Sequence, residues 1–195
     1  MAAVDSPAAR LAALLTPIQR LSAQFTQTVL GAHRELLQSA EGYLRLARPQ
    51  RFKWVLQAPY PQTIVTSGDR LFVYDPDLNQ VQVKPLTDAL AGTPALVLLG
   101  GASDIDAQFL VNDETVDGFH RFVLIPKNPD ALYTELHLVF GDGRLVRIEI
   151  VDSLGQLTDV SFHNLEINGA QASDEFDFTV PADADLIGDG PSKPT

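Results

Sequence analysis

The chain has 195 residues, 45% of them hydrophobic and 20% charged, and a formal net charge of −11. That balance suits one globular domain over residues 1–195 and excludes wholesale disorder. The acidic excess lacks the clustered cations that displace counterions from a phosphate backbone, which excludes nucleic acid as a partner, and the absence of cysteine removes disulfides and thiolate metal sites.

Ser6-Pro7 is an N-cap followed by proline at the first helical position, and Leu11, Leu14, Leu15, Ile18 and Leu21 recur at three- and four-residue spacing. The spacing predicts an amphipathic N-terminal helix that ends near Thr16 or kinks there, because Pro17 lacks the donor an interior turn needs. From Phe25 the period changes to two, with candidate strands at 23–30, 37–47, 51–57, 62–67, 70–75 and 79–84. Ser67-Gly68-Asp69 and Asp75-Pro76-Asp77 supply the turn chemistry between neighbouring strands.

Residues 88–101 interrupt this pattern. Thr93-Pro94 opens and Gly100-Gly101 stops a short helix whose positions 95 to 99 are all apolar, so it has no polar face. Further segments at 105–111, 118–126, 131–140, 143–152, 156–167 and 175–180 complete about a dozen candidate strands, and Gly141-Asp142-Gly143 marks another hairpin. Phe52, Trp54 and Leu56 share one strand face, as do Leu136, Leu138 and Phe140, and Val146, Ile148 and Ile150. Such rows fill a packed core or line a cavity, and periodicity does not separate the two. Strands in meander order under few helices require a curved sheet, since a flat one leaves an apolar face wet. The Asp-, Gly- and Pro-rich stretch 181–195 is expected to be a poorly ordered tail.

Little in the chain has the spacing of a reaction centre. His33, His120, His137 and His163 are dispersed and form no metal motif, and there is neither a G-x-S-x-G elbow nor a Gly-rich phosphate loop. Asp75-Pro76-Asp77-Leu78-Asn79 begins like a calcium loop, but Gln80 and Leu86 stand where a glycine and a bidentate glutamate are needed. Asp104 with Asp106, and Asp183 with Asp185, read as solvated loop acids. The chain is expected to be no enzyme and to use no metal and no cofactor. Arg45, Arg48, Arg51 and Lys53 crowd one hairpin, and a guanidinium there has enough donors to bond free carbonyls of the apolar helix.

Phe25-Thr26-Gln27, then Gly42-Tyr43-Leu44-Arg45-Leu46-Ala47-Arg48-Pro49-Gln50-Arg51-Phe52-Lys53-Trp54, then Gly68-Asp69-Arg70-Leu71-Phe72-Val73-Tyr74-Asp75-Pro76 occur in the order and spacing of one family. On these motifs the chain resembles the LolA family of periplasmic outer-membrane lipoprotein carriers over roughly residues 10 to 180. The resemblance implies an incomplete, half-open antiparallel β-barrel of about eleven strands, covered by the N-terminal helix and a short apolar lid helix. It implies acyl-chain contacts at Phe52, Trp54, Ile64, Leu96, Leu98 and Leu99, and makes Arg48 the lid latch. The implied partners are lipidated lipoproteins, an inner-membrane ABC-type release complex and an outer-membrane lipoprotein receptor.

The implied compartment is the periplasm. Met1 to Asp5 lacks a charged region followed by an apolar one, so an export signal is expected to have been removed. No run approaches the ~18 apolar residues of a membrane span, and a soluble monomer is expected. Competing readings are a related half-barrel that binds another lipid or senses lipoproteins, a membrane-facing esterase with a serine near one of the histidines, and an interaction module with a filled interior.

Overall fold

A computed structural model describes residues 6–89, 94–99 and 102–188. Helix α1 (Pro7–Leu15) begins where the Ser6 Oγ accepts the Ala9 N–H at 3.1 Å, and it buries Ala8, Leu11, Ala12 and Leu15. It stops before Pro17, as the missing donor requires. Leu21 belongs to the first strand instead of continuing the helical stripe.

The strands are β1 (Arg20–Leu30), β2 (Leu36–Ala47), β3 (Arg51–Ala58), β4 (Gln62–Ser67), β5 (Arg70–Asp75) and β6 (Gln80–Pro85), then β7 (Phe109–Val116), β8 (Phe119–Pro126), β9 (Tyr133–Gly141), β10 (Arg144–Asp152), β11 (Leu157–Ile167) and β12 (Asp185–Gly188). Between the two runs lie α2 (Leu86–Ala89), an apolar 3-10 turn (Pro94–Leu99, the lid) and α3 (Ala102–Gln108). The strands form one sheet in the order β12-β6-β5-β4-β3-β2-β1-β11-β10-β9-β8-β7. Two antiparallel meanders are therefore joined through β1 and β11, with Phe25 opposite Phe162, and β7 and β12 are left as the two edges. The sheet curls without closing, and α1, α3 and the lid contribute Leu11, Leu15, Ile105, Leu96 and Leu98 to the single large core on its concave side.

The lid is helical, in the 3-10 form, and the Thr93 cap and Gly100-Gly101 stop lie outside the described residues. Three expectations need correction. The segment 105–111 begins as helix: α3 runs to Gln108 and buries Ile105, and β7 takes over at the buried Phe109; Asp104 and Asp106 are helical, not loop, acids. In 175–180 the alternation of Phe176 and Phe178 is no strand. A 3-10 turn (Ser173–Phe176) leads to Phe178, which packs on Phe72 and Tyr74 at 5.7 and 6.1 Å. The expected tail supplies β12 over 185–188, pairing parallel with β6 and placing Asp185 in a strand.

The Val146 row also shifts. A bulge at Val146, between Leu145 opposite Phe140 and Arg147 opposite Val139, puts Leu145 and Ile148 together in the core and turns Val146 away. Elsewhere the alternation holds. Phe52, Leu136, Leu138 and Phe140 are buried, while Trp54 is 6% exposed and stacks on Phe25 with ring centroids 4.2 Å apart.

That stack depends on Gly42, which pairs with Phe25 across β1 and β2. A Cβ at Gly42 would meet the Val55 carbonyl oxygen and lie 2.6 Å from the Phe25 ring. Gly42→Ala is therefore expected to lower unfolding free energy by about 1–3 kcal/mol through overpacking, measured by urea denaturation, and to shift the emission of the sole tryptophan.

Candidate functional site

The concave face is built from inward rows of neighbouring strands, and the lid is pressed into it. Phe52 and Trp54 of β3 sit with Leu44 and Leu46 of β2 and Leu71 of β5. Leu96 and Leu98 of the lid, 3% and 2% exposed, are buried in the same cluster. Ile64, opposite Trp54 in β4, and Leu99 are half-buried and pack against it. All six residues singled out for acyl contact thus meet on one apolar surface. Each fully buried lid leucine favours the closed arrangement by about 1.5–3 kcal/mol.

Arg48 stands at the turn from β2 to β3. Thr66 fixes that turn: its buried hydroxyl accepts the Phe52 N–H at 2.8 Å and donates to the Gln50 carbonyl. The Arg48 Nε donates to the Ile18 carbonyl at 2.7 Å and Nη2 to the Leu15 carbonyl at 3.2 Å, at the C-terminal end of α1. Nη2 also donates to the Leu98 carbonyl at 3.1 Å and Nη1 to the Leu99 carbonyl at 3.3 Å. The last carbonyls of a short helix lack intrahelical partners; the Leu15 carbonyl also accepts the Ile18 N–H at 3.0 Å, and one planar guanidinium with five donors serves both ends. Burial pulls the Arg48 pKa below its ordinary value, and the charge of Asp104 opposes the shift.

The rest of the basic cluster does different work. Arg45 pairs with Glu175 at 3.2 Å, Arg51 lies over the Phe176 ring at 5.4 Å, and the Lys53 Nζ donates to the Asp177 carbonyl. These three hold the segment after β11 against β2 and β3. The dense run of cations is thus divided between a strap and a lid contact, a division that spacing in the sequence did not reveal.

Two polar constellations escaped the sequence because their members are far apart in the chain. Asp113 of β7 accepts from the Arg10 Nε and Nη2 at 3.0 and 2.8 Å and bonds the His120 Nε2 at 2.8 Å, tying α1 to the free edge of the sheet. The Arg10 hydrogen bond is the main cause of a lowered Asp113 pKa. On the outer face Glu149, 7% exposed, bonds the His137 Nδ1 at 2.9 Å and Arg147 at 3.2 Å, while the His137 Nε2 bonds Glu135 at 2.8 Å. The other histidine contact, His163 Nε2 to the Thr26 hydroxyl at 2.8 Å, is exposed, and the Ser161 hydroxyl donates to Asp159. The Asp75 carboxylate accepts the Leu78 N–H at 3.1 Å, as in a turn.

Residues 16–179 match the family model of the outer membrane lipoprotein carrier protein LolA. The chain belongs to the LolA family. It is 42% identical over 183 residues to an outer-membrane lipoprotein carrier protein of Chromohalobacter salexigens, spanning 94% of this chain and 87% of that one. It is 38% identical to the carrier of Hahella chejuensis over 93% of this chain and 88% of that one. A DUF1329 family protein from Desulfovibrio piger shares the fold at a TM-score of 0.52 and 13% identity, over 88% of this chain and 94% of that one. LolA family members are carriers, so this chain is a binding protein and not an enzyme.

The outer-face pair couples LolA-fold stability to pH. Burial lowers the His137 pKa, but the hydrogen bonds and charges of Glu149 and Glu135 outweigh it and leave the imidazole above its ordinary value. The Glu149 pKa is lowered, chiefly by the hydrogen bond from His137. The His137 contribution is therefore complete below about pH 6.5 and is lost as pH rises through the raised value, whereas that of Glu149 is lost only in acid. Urea unfolding between about pH 6 and pH 8 is expected to show wild-type stability falling relative to His137→Gln.

Proposed function

We propose that this protein is a periplasmic carrier that takes the acyl chains of lipoproteins into its apolar interior. It receives them from an inner-membrane ABC-type release complex and passes them to an outer-membrane lipoprotein receptor. Relatives named as outer-membrane lipoprotein carrier proteins support the role. The observation that carries the mechanism is the burial of Leu96 and Leu98 in the same core cluster as Phe52 and Trp54 while Arg48 holds the Leu98 and Leu99 carbonyls.

The lid and an acyl chain compete for one surface. Each CH₂ buried is worth about 0.8 kcal/mol, so several chains together displace a short turn that buries Ala95, Leu96, Val97 and Leu98. Phe52, Trp54, Ile64, Leu96, Leu98 and Leu99 then contact cargo. Closure energy is subtracted from cargo affinity, which lets a receptor with a better site remove the chains. Arg48 sets that closure energy through hydrogen bonds to a charged group, each contributing about 1.5–3 kcal/mol.

Arg48→Leu is expected to favour the open form and slow cargo loss by at least about tenfold. The measurement is transfer of a fluorescent triacylated lipopeptide from the loaded protein to acceptor vesicles. Transfer as fast as wild type would remove the latch role, and no uptake of lipopeptide by either protein would remove the carrier reading.

A further inference from the structure

Beside the lid, at the Arg48 end of the sheet, lies a cavity of about 360 Å³. Its apolar lining is Leu86 of α2 and Leu96 and Leu99 of the lid. Leu96 belongs at the same time to the core cluster that holds Phe52 and Trp54, so in the closed form this side chain stands between the cavity and the interior. The wall is positioned by the Leu86 N–H, which donates to the Asp69 carbonyl at 2.8 Å and pins α2 to the β4–β5 turn. The polar lining includes the exposed carboxylates of Asp69 and Asp104. Gln50 and Gln108 add amides, and among the described residues no lysine or arginine lines the cavity. The nearby guanidinium of Arg48 directs its donors at the carbonyls of Leu15, Ile18, Leu98 and Leu99, and its charge interacts with Asp104, leaving Asp69 as the carboxylate with no cation beside it among the described lining residues.

We propose that this cavity is the portal through which an acyl chain enters, and that Asp69 and Asp104 make it select against lipids with an anionic head group. This rests on the carrier reading and adds the basis of its specificity. Apolar surface alone cannot tell the acyl chains of a lipoprotein from those of a phospholipid, because the chains are chemically alike. The head groups differ. An N-acylated, diacylglyceryl cysteine followed by a peptide offers amide N–H donors and no phosphate, which carboxylates and glutamine carbonyls accept. A phosphate brought to the same mouth faces two carboxylates in a site walled by low-dielectric side chains, where like charges repel more strongly than in bulk water. Repulsion needs no rigid contact, so exposed aspartates suffice.

The test compares equilibrium binding of two fluorescent probes of equal acyl length, an uncharged triacylated cysteinyl-serine peptide and a phosphatidylglycerol. Wild type is expected to prefer the lipopeptide by roughly tenfold, and salt raised from about 0.05 M to about 0.5 M should shrink that ratio by screening. Asp69→Asn with Asp104→Asn is expected to collapse the ratio, and the double aspartate-to-glutamate variant to keep it. A ratio that the asparagine variant leaves unchanged, or a wild type with no preference, overturns the portal while leaving the carrier standing. Lipopeptide that fails to bind wild type at all overturns the carrier reading itself.

Discussion

At the rim of the apolar interior one guanidinium satisfies two sets of carbonyls at once. Arg48 bonds the end of α1 through Leu15 and Ile18 and the end of the lid through Leu98 and Leu99. These groups come from segments separated by about eighty residues, and only the hairpin carrying Arg48 brings them to one point. Without the donors, several carbonyls near the core would need water or new partners, each at a cost of about 1–3 kcal/mol. A single side chain therefore couples the N-terminal helix, the lid and the sheet.

The lid has little structure of its own. A 3-10 turn of six residues has too few internal hydrogen bonds to persist by itself, so its structure depends on the surface it covers. The wall is different. Long ladders join β1 to β2 and β11, the Phe25–Trp54 stack crosses β2 where Gly42 leaves space, and the His137–Glu149 cluster links β9 and β10 from outside. Stability is thus concentrated in the sheet and scarce in its cover. An acyl chain that takes over the lid's contacts does not have to disturb the ladders.

Acidity bears on the same economy of contacts. With a net charge of −11 the molecule is repelled by anionic lipid surfaces, and two of its carboxylates stand at the cavity beside the lid. The few cations near the site are engaged by carbonyls, an aromatic ring and Glu175. A carrier of uncharged lipid-bearing peptides is served by this distribution, since apolar surface attracts chains of every kind.

Much of the fold is legible in local chemistry. Ser6-Pro7 and Pro17 delimit α1, turn residues delimit the first six strands, and the lid announces itself as five apolar residues in succession. Errors arose where one pattern has two solutions. Phe176 and Phe178 alternate like a strand but pack on the sheet, Ile105 and Phe109 fit either period, and the bulge at Val146 reverses a face midway through β10. Arg48 and the six apolar residues were singled out by the family resemblance, but the Arg10–Asp113–His120 and His137–Glu149 clusters and the placing of Asp69 and Asp104 at one cavity had no local signal. The sequence by itself determined which residues are apolar, where the chain turns and that Arg48 stands at a strand end. Only the tertiary structure decided which carbonyls that arginine meets, which strand closes on β1 and which acids gather at one mouth, because those depend on the curvature of the sheet, and curvature brings together residues that no local period relates.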